Sequence, residues 1–313
     1  MGGMLRAFDR IAQASMEAIL PHLGHKVPPV LTYLDKGMGA SILRAGLRLW
    51  DGSTLSPAAA IKIIFHNRRR PTALLHETGH QVAYLLRWNE TLATRLHQSM
   101  TAVDAGLASV WASWASEIAA DFYAFAHAGY GSVVALADVV GGTTAEVLRD
   151  VPGGPHPIPF LRVQLGIACC RRFFGRGPWD ELDAVWRQRY PIDEAPGETR
   201  AILAASLPRI PSIGECGLLT PSPSFGGRCL VDWLNPDRSS PTALAALHRE
   251  SANRPYASRS WLHRDSVRLL ALTGFRLATE PGQFLSIIQN HDQAIRVLGG
   301  HPFPLDMPIS AAA

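Results

Sequence analysis

The stretch that decides both fold and chemistry is Leu74-Leu75-His76-Glu77-Thr78-Gly79-His80-Gln81. It reads H-E-x-x-H, with apolar residues at 73–75 before it and at 82–86 after it. Such surroundings predict a buried helix. On a helix His76 and His80 are i and i+4, so both imidazoles leave one face and can meet one metal ion. Glu77, one position on, reaches a metal-bound water as a carboxylate general base. That is the arrangement of a zinc hydrolase, one protein ligand short.

Working outward, the third ligand is predicted in Trp114-Ala115-Ser116-Glu117-Ile118-Ala119-Ala120-Asp121-Phe122. Glu117 and Asp121 are i and i+4 in an otherwise apolar segment, where two acids are costly to desolvate without a cation. Zinc held by Glu117, with Asp121 accepting a hydrogen bond from a ligand histidine, removes that cost. The alternative is that both acids pair with arginines on a solvated face. Ala115, Ala119, Ala120 and Ala124 are small and allow this helix to approach the H-E-x-x-H helix closely.

H-E-x-x-H followed by E-x-x-A-D resembles the glutamate-ligand zinc metallopeptidases (gluzincins), most closely the CAAX-prenyl endopeptidase and HtpX group and its soluble relatives. Those proteins carry a further His-Pro with an Arg six residues after the His. The matching segment here is His156-Pro157-Ile158-Pro159-Phe160-Leu161-Arg162. The resemblance covers about residues 70–170. It implies His76, His80 and Glu117 as ligands of Zn2+, Glu77 as catalytic base, and Asp121 as the partner of a ligand histidine. His156 is expected either at the cleft rim, donating to the oxyanion, or as a capping group at a loop-to-helix junction. Tyr123 is a second candidate donor. Arg162 is expected in a buried ion pair with Asp121 or Asp138. His66, His97 and His127 are single and are read as structural. The family's membrane helices have no counterpart here, so prenyl-protein processing is not implied.

The chain has 313 residues, is 47% hydrophobic and 18% charged, and carries a formal charge of +4. That is the composition of an ordinary globular protein, large enough for one big domain or two smaller ones. Arg68-Arg69-Arg70 and Arg171-Arg172 are basic, but no nucleic-acid motif accompanies them, so solvated charge or carboxylate pairing is expected. Cys169, Cys170, Cys216 and Cys229 lack metal spacing and are expected reduced. No continuous apolar run suits a signal peptide or a membrane span, so a cytoplasmic protein is expected.

A mainly α (α+β) chain follows, a zincin-like helical core with a small N-terminal sheet or hairpin and a C-terminal helical region. Residues 4–20 read as a helix, 30–34 as a strand and 42–50 as a second strand, an edge on which an extended peptide could pair. Ser56-Pro57 suits the start of a short helix through Phe65, although 61–65 also reads as a strand. The metal helix is expected to run to about Trp88 and a buried helix from 102 to 128. Further helices are expected at 159–174, at 179–190 with Leu182, Val185 and Trp186 on one side, and at 199–207. The Pro-, Gly- and Ser-rich stretch 208–240 reads as a linker or long loop between a catalytic domain (1–207) and a C-terminal lid or second lobe (241–313), itself with helical patterns at 241–251, 260–273 and 281–298. The function expected is a zinc-dependent endopeptidase acting on a peptide or protein. The alternative is a catalytically silent, zinc-binding protein-interaction module.

Overall fold

Helix α1 (Gly2–Glu17) turns Ala7, Phe8, Ile11, Ala12 and Met16 inward at the spacing of one helical face. The computed structural model describes residues 2–37, 40–49, 53–69, 72–253 and 259–300. Pro71, residues 50–52, Arg70, the side chains of His66 and Arg69, and the residues from Pro302 lie outside them.

Three strands follow α1: β1 (Val30–Asp35), β2 (Ser41–Leu43) and β3 (Ala59–Ile64). Their order is β1-β3-β2, with β1 parallel to β3 (Val30 opposite Ala59) and β2 antiparallel to it (Ile42 opposite Ile61). Ser56-Pro57 therefore does not start a helix. The Ser56 hydroxyl donates to the Ala58 carbonyl at 2.7 Å, and Ile61, Ile63 and Ile64 take the strand that β-branched residues favour. The predicted strand at 42–50 is shorter than expected. Pairing stops at Leu43, and Gly46 turns the chain with φ +83° before an isolated bridge from Arg48 to Leu55.

The first helical layer is α2 (Ala73–Leu85), α3 (Trp88–Thr101), α4 (Ala105–Ser113), α5 (Ala115–Ala128) and α6 (Tyr130–Val140). The H-E-x-x-H helix α2 stops three residues short of Trp88, because Arg87 adopts a left-handed φ of 52°. The single helix expected over 102–128 is instead two. Asp104 caps α4 by accepting from Leu107 N–H at 2.7 Å, and the chain breaks at Trp114, whose indole packs edge-on against Trp111. α2 and α5 lie side by side, and only a glycine at 79 allows this. A Cβ there would stand 2.9 Å from Ala120 Cα.

The remaining helices are α7 (Thr144–Val147), α8 (Pro159–Phe174), α9 (Trp179–Arg189), α10 (Gly197–Ser206), α11 (Ile210–Leu218), α12 (Leu230–Trp233), α13 (Pro241–Asn253), α14 (Arg259–Thr279) and α15 (Phe284–Leu298). On α9 the inward residues are Trp179, Asp183 and Trp186, while Val185 is 52% exposed. Asp183 displaces it because it receives Gln164, Arg171 and Arg187.

Residues 208–240 are not a linker. They hold α11, α12 and three 3-10 turns, and Ile210, Ile213, Leu218, Phe225 and Leu230 join an apolar core that runs from Ala7 to Leu298. The prolines mislead because Pro208, Pro211, Pro223 and Pro236 occupy first-turn positions, where a missing N–H costs nothing. At the ends of the chain, α1 packs on α14 and α15, and Arg6 and Arg10 donate to the carbonyls of Gly299 and Leu298.

Candidate metal centre

α2 and α5 bring His76, His80 and Glu117 together, with one donor atom of each within 4.8 Å of the others. His76 Nε2 lies 3.4 Å from Glu117 Oε2, and His80 Nε2 lies 3.3 Å from Glu117 Oε1. Two atoms each about 2.0–2.1 Å from a tetrahedral ion are separated by about 3.3 Å. The two contacts are of that order, and the group could hold a metal ion.

The other nitrogen of each imidazole is engaged. His76 Nδ1–H donates to Asp121 Oδ1 at 2.9 Å, which turns Nε2 toward Glu117. His80 Nδ1 shares a 3.3 Å hydrogen bond with Ser116 Oγ. The rings meet edge to face with centroids 4.8 Å apart. Ser116 was not singled out in the sequence. Its only signal is that it precedes Glu117 by one position and so leaves α5 toward the same partner helix.

Arg162 of α8 completes the cluster. Its Nε and Nη2 donate to the two oxygens of Asp121, both at 2.8 Å, and Nη2 lies 3.3 Å from Glu117 Oε2. Of the two acids offered for Arg162, the structure selects Asp121. All these groups are buried or nearly so. Glu77, Glu117 and Asp121 face one guanidinium, so the acids of the cluster outnumber its permanent cation.

The ionisation directions follow from that field. Burial opposes charging of His76, but its bonds to Asp121 and Glu117 prevail and push its pKa up to about 10. Burial likewise opposes charging of Glu117 and Asp121. The imidazole hydrogen bonds on Glu117, and the Arg162 charge on Asp121, nevertheless hold both below the usual carboxylate range. Burial raises the Glu77 carboxyl above its ordinary value, with the two imidazoles pulling against it.

The cluster opens into a cavity of about 870 Å³. Glu77, His156, Ser41, Ile42 and Arg44 line it beside the ligands, and it continues along α5 past Phe122 to Phe125, about 12 Å from Glu117. Leu277, Phe284 and Ile288 of α14 and α15 form part of its wall. The C-terminal region thus contributes to the cleft itself, a role that an apolar stripe in sequence does not announce. His156 is at the rim, its side chain 66% exposed and its Nε2 3.6 Å from Glu117 Oε1.

Tyr123 is not at the site. Two residues beyond Asp121 it leaves the opposite side of α5, fully buried, with its ring edge-on to His127. His127 is half-buried beside it, while His97 lies beside the Thr101 hydroxyl on the surface. Arg171 pairs with Asp180 and Asp183, Arg172 with Glu215, and Arg68 stacks over Phe65, so these charges have local partners. Among the described residues, no helix is long and apolar enough to cross a membrane.

No protein-family model, curated protein or solved structure matches the chain.

Proposed function

We propose that the protein is a zinc-dependent endopeptidase of the glutamate-ligand type, similar in its site to soluble relatives of the CAAX-prenyl endopeptidase and HtpX group. The observation that supports this is the convergence of His76, His80 and Glu117, one donor atom of each within 4.8 Å of the others, beside Glu77 in one open cavity. Zinc bound there supplies Lewis-acid stabilisation of a developing oxyanion and makes water a nucleophile near neutral pH.

The chain's own residues divide the remaining work. His76 and His80 present Nε2, their orientations held through Nδ1 by Asp121 and Ser116. Glu77 takes the proton of the attacking water and passes it to the leaving amine. His156, at the rim, donates to the oxygen of the scissile carbonyl as charge develops on it. Arg162 keeps Asp121 and Glu117 ionised and in place. An extended peptide adds to the outer edge of β2, unpaired among the described strands, whose Ser41 and Ile42 line the same cavity as Glu77.

The test is a Glu77→Gln protein. It should retain one equivalent of zinc and lose peptide cleavage by several orders of magnitude. Wild-type turnover in fully loaded Glu77→Gln would overturn the mechanism. Zinc binding by a wild-type chain that cleaves no peptide would favour a silent binding module instead.

A further inference from the structure

Gln81 follows His80 on α2, is fully buried and is not one of the three clustered residues. Its side chain closes a two-way clamp on one backbone unit. Ala45 N–H donates to Gln81 Oε1 at 2.8 Å, and Gln81 Nε2 donates to the Ala45 carbonyl at 3.4 Å. One turn further along α2, the Tyr84 hydroxyl donates to the Gly46 carbonyl at 3.4 Å, and the Arg44 guanidinium lies 4.8 Å from the Tyr84 ring centroid. The metal helix therefore grips residues 44–46 directly.

Those residues continue β2, whose Ser41 and Ile42 line the cavity. β2 is tied to β3 over only three residue pairs, and among the described strands its other edge is free. So short a strand has little of its own to fix its height above α2. We propose that Gln81 is a positioning residue for substrate: it references the edge strand to the helix that carries His76, Glu77 and His80. A peptide added to β2 then presents its scissile carbonyl to Glu77 at a set distance. This role rests on the peptidase reading above.

The residue type fits the task. Clamping an N–H and a C=O of one residue needs an acceptor and a donor on one planar group, and the amide has both. A carboxylate of the same length lacks the donor, and a thioether makes neither bond well.

The experiment compares the zinc-loaded full chain, wild type and Gln81→Met, on the best-cleaved peptide from a random library and on versions trimmed from each end. For the long peptide Gln81→Met should raise KM about tenfold while kcat stays within about twofold, the size of effect one or two lost hydrogen bonds represent. The KM gap should narrow as trimming removes the residues that reach β2. Gln81→Glu, which keeps the acceptor alone, should fall between the two and serves if Gln81→Met does not fold. An unchanged KM on the long peptide, or a loss in kcat and zinc content that ignores peptide length, overturns the positioning role. A loaded wild-type chain that cleaves nothing overturns the peptidase reading and this role together, a result distinct from either of those.

Discussion

Gly79 and Ala120 set the separation of the two ligand-bearing helices. A Cβ on residue 79 would lie 2.9 Å from Ala120 Cα, 3.1 Å from its carbonyl oxygen and 3.1 Å from Tyr123 Cβ. None of these atoms can swing aside, so the helices themselves must part. Gly79→Ala should cost about 1–3 kcal/mol of stability. It should also weaken metal binding, because Glu117 moves with α5. Gly282→Ala, where an added methyl meets open space, is the control. Equal melting temperatures and equal zinc titrations for all three proteins would refute this account of the helix contact.

Arg162 is the cluster's internal cation. Its removal leaves Asp121 and Glu117 buried with their guanidinium gone, a loss of about 3–5 kcal/mol for a broken buried pair. Arg162→Met should therefore melt well below wild type. The drop on adding a chelator should be larger than in wild type, since the dication becomes the only strong counter-charge. Calorimetry of both proteins with and without chelator measures it. A smaller chelator effect in Arg162→Met would contradict the charge balance described for the site.

Ser116 should matter through His80 alone. Ser116→Ala removes the hydroxyl that meets Nδ1 and should lower zinc affinity by about 10–100-fold, the usual cost of losing such an outer partner. Asp121→Asn should lose at least as much through His76. Competition titration against a chromogenic chelator reads both, and wild-type affinity in Ser116→Ala would remove it from the site.

His127 gives the fold an acid sensitivity separate from the site. Burial depresses its pKa to about 3 from an ordinary 6.5. The unfolded chain then takes up a proton below pH 6.5 that the folded chain refuses until about pH 3. Stability is thus unaffected above pH 6.5 and falls between 6.5 and 3, at up to about 1.4 kcal/mol per pH unit. The difference between wild type and His127→Phe, both in chelator, isolates this slope from the ligand histidines. Parallel stability curves across that window would show that His127 is not buried neutral.

Much of the site was legible because helical periodicity turns sequence spacing into a shared face. His76 with His80, and Glu117 with Asp121, are such pairs, and a buried acid pair in an alanine-rich helix announces a nearby cation. Arg162 was legible only through the family resemblance, as the Arg six residues after a His-Pro. Ser116 was not, because serine is ordinary in helices and its partner lies on another element. Gln81 was hidden because what it holds is backbone, which carries no residue signature. The cavity wall at Leu277, Phe284 and Ile288 was hidden too, since an apolar stripe reads alike whether it faces a core or a cleft. In the fold, proline was the main source of error. Pro57 stands before a strand and Pro208, Pro211 and Pro223 stand at helix starts, and local composition does not separate these settings.

The cavity wall also has a place in time. A ribosome delivers His76, Glu77, His80 and Glu117 long before Leu277, Phe284 and Ile288, and α1 must wait for α14 and α15 to cover it. A half-made chain thus holds the chemical groups without the chamber that would present a peptide to them. The cavity is closed on that side only once α15 has docked.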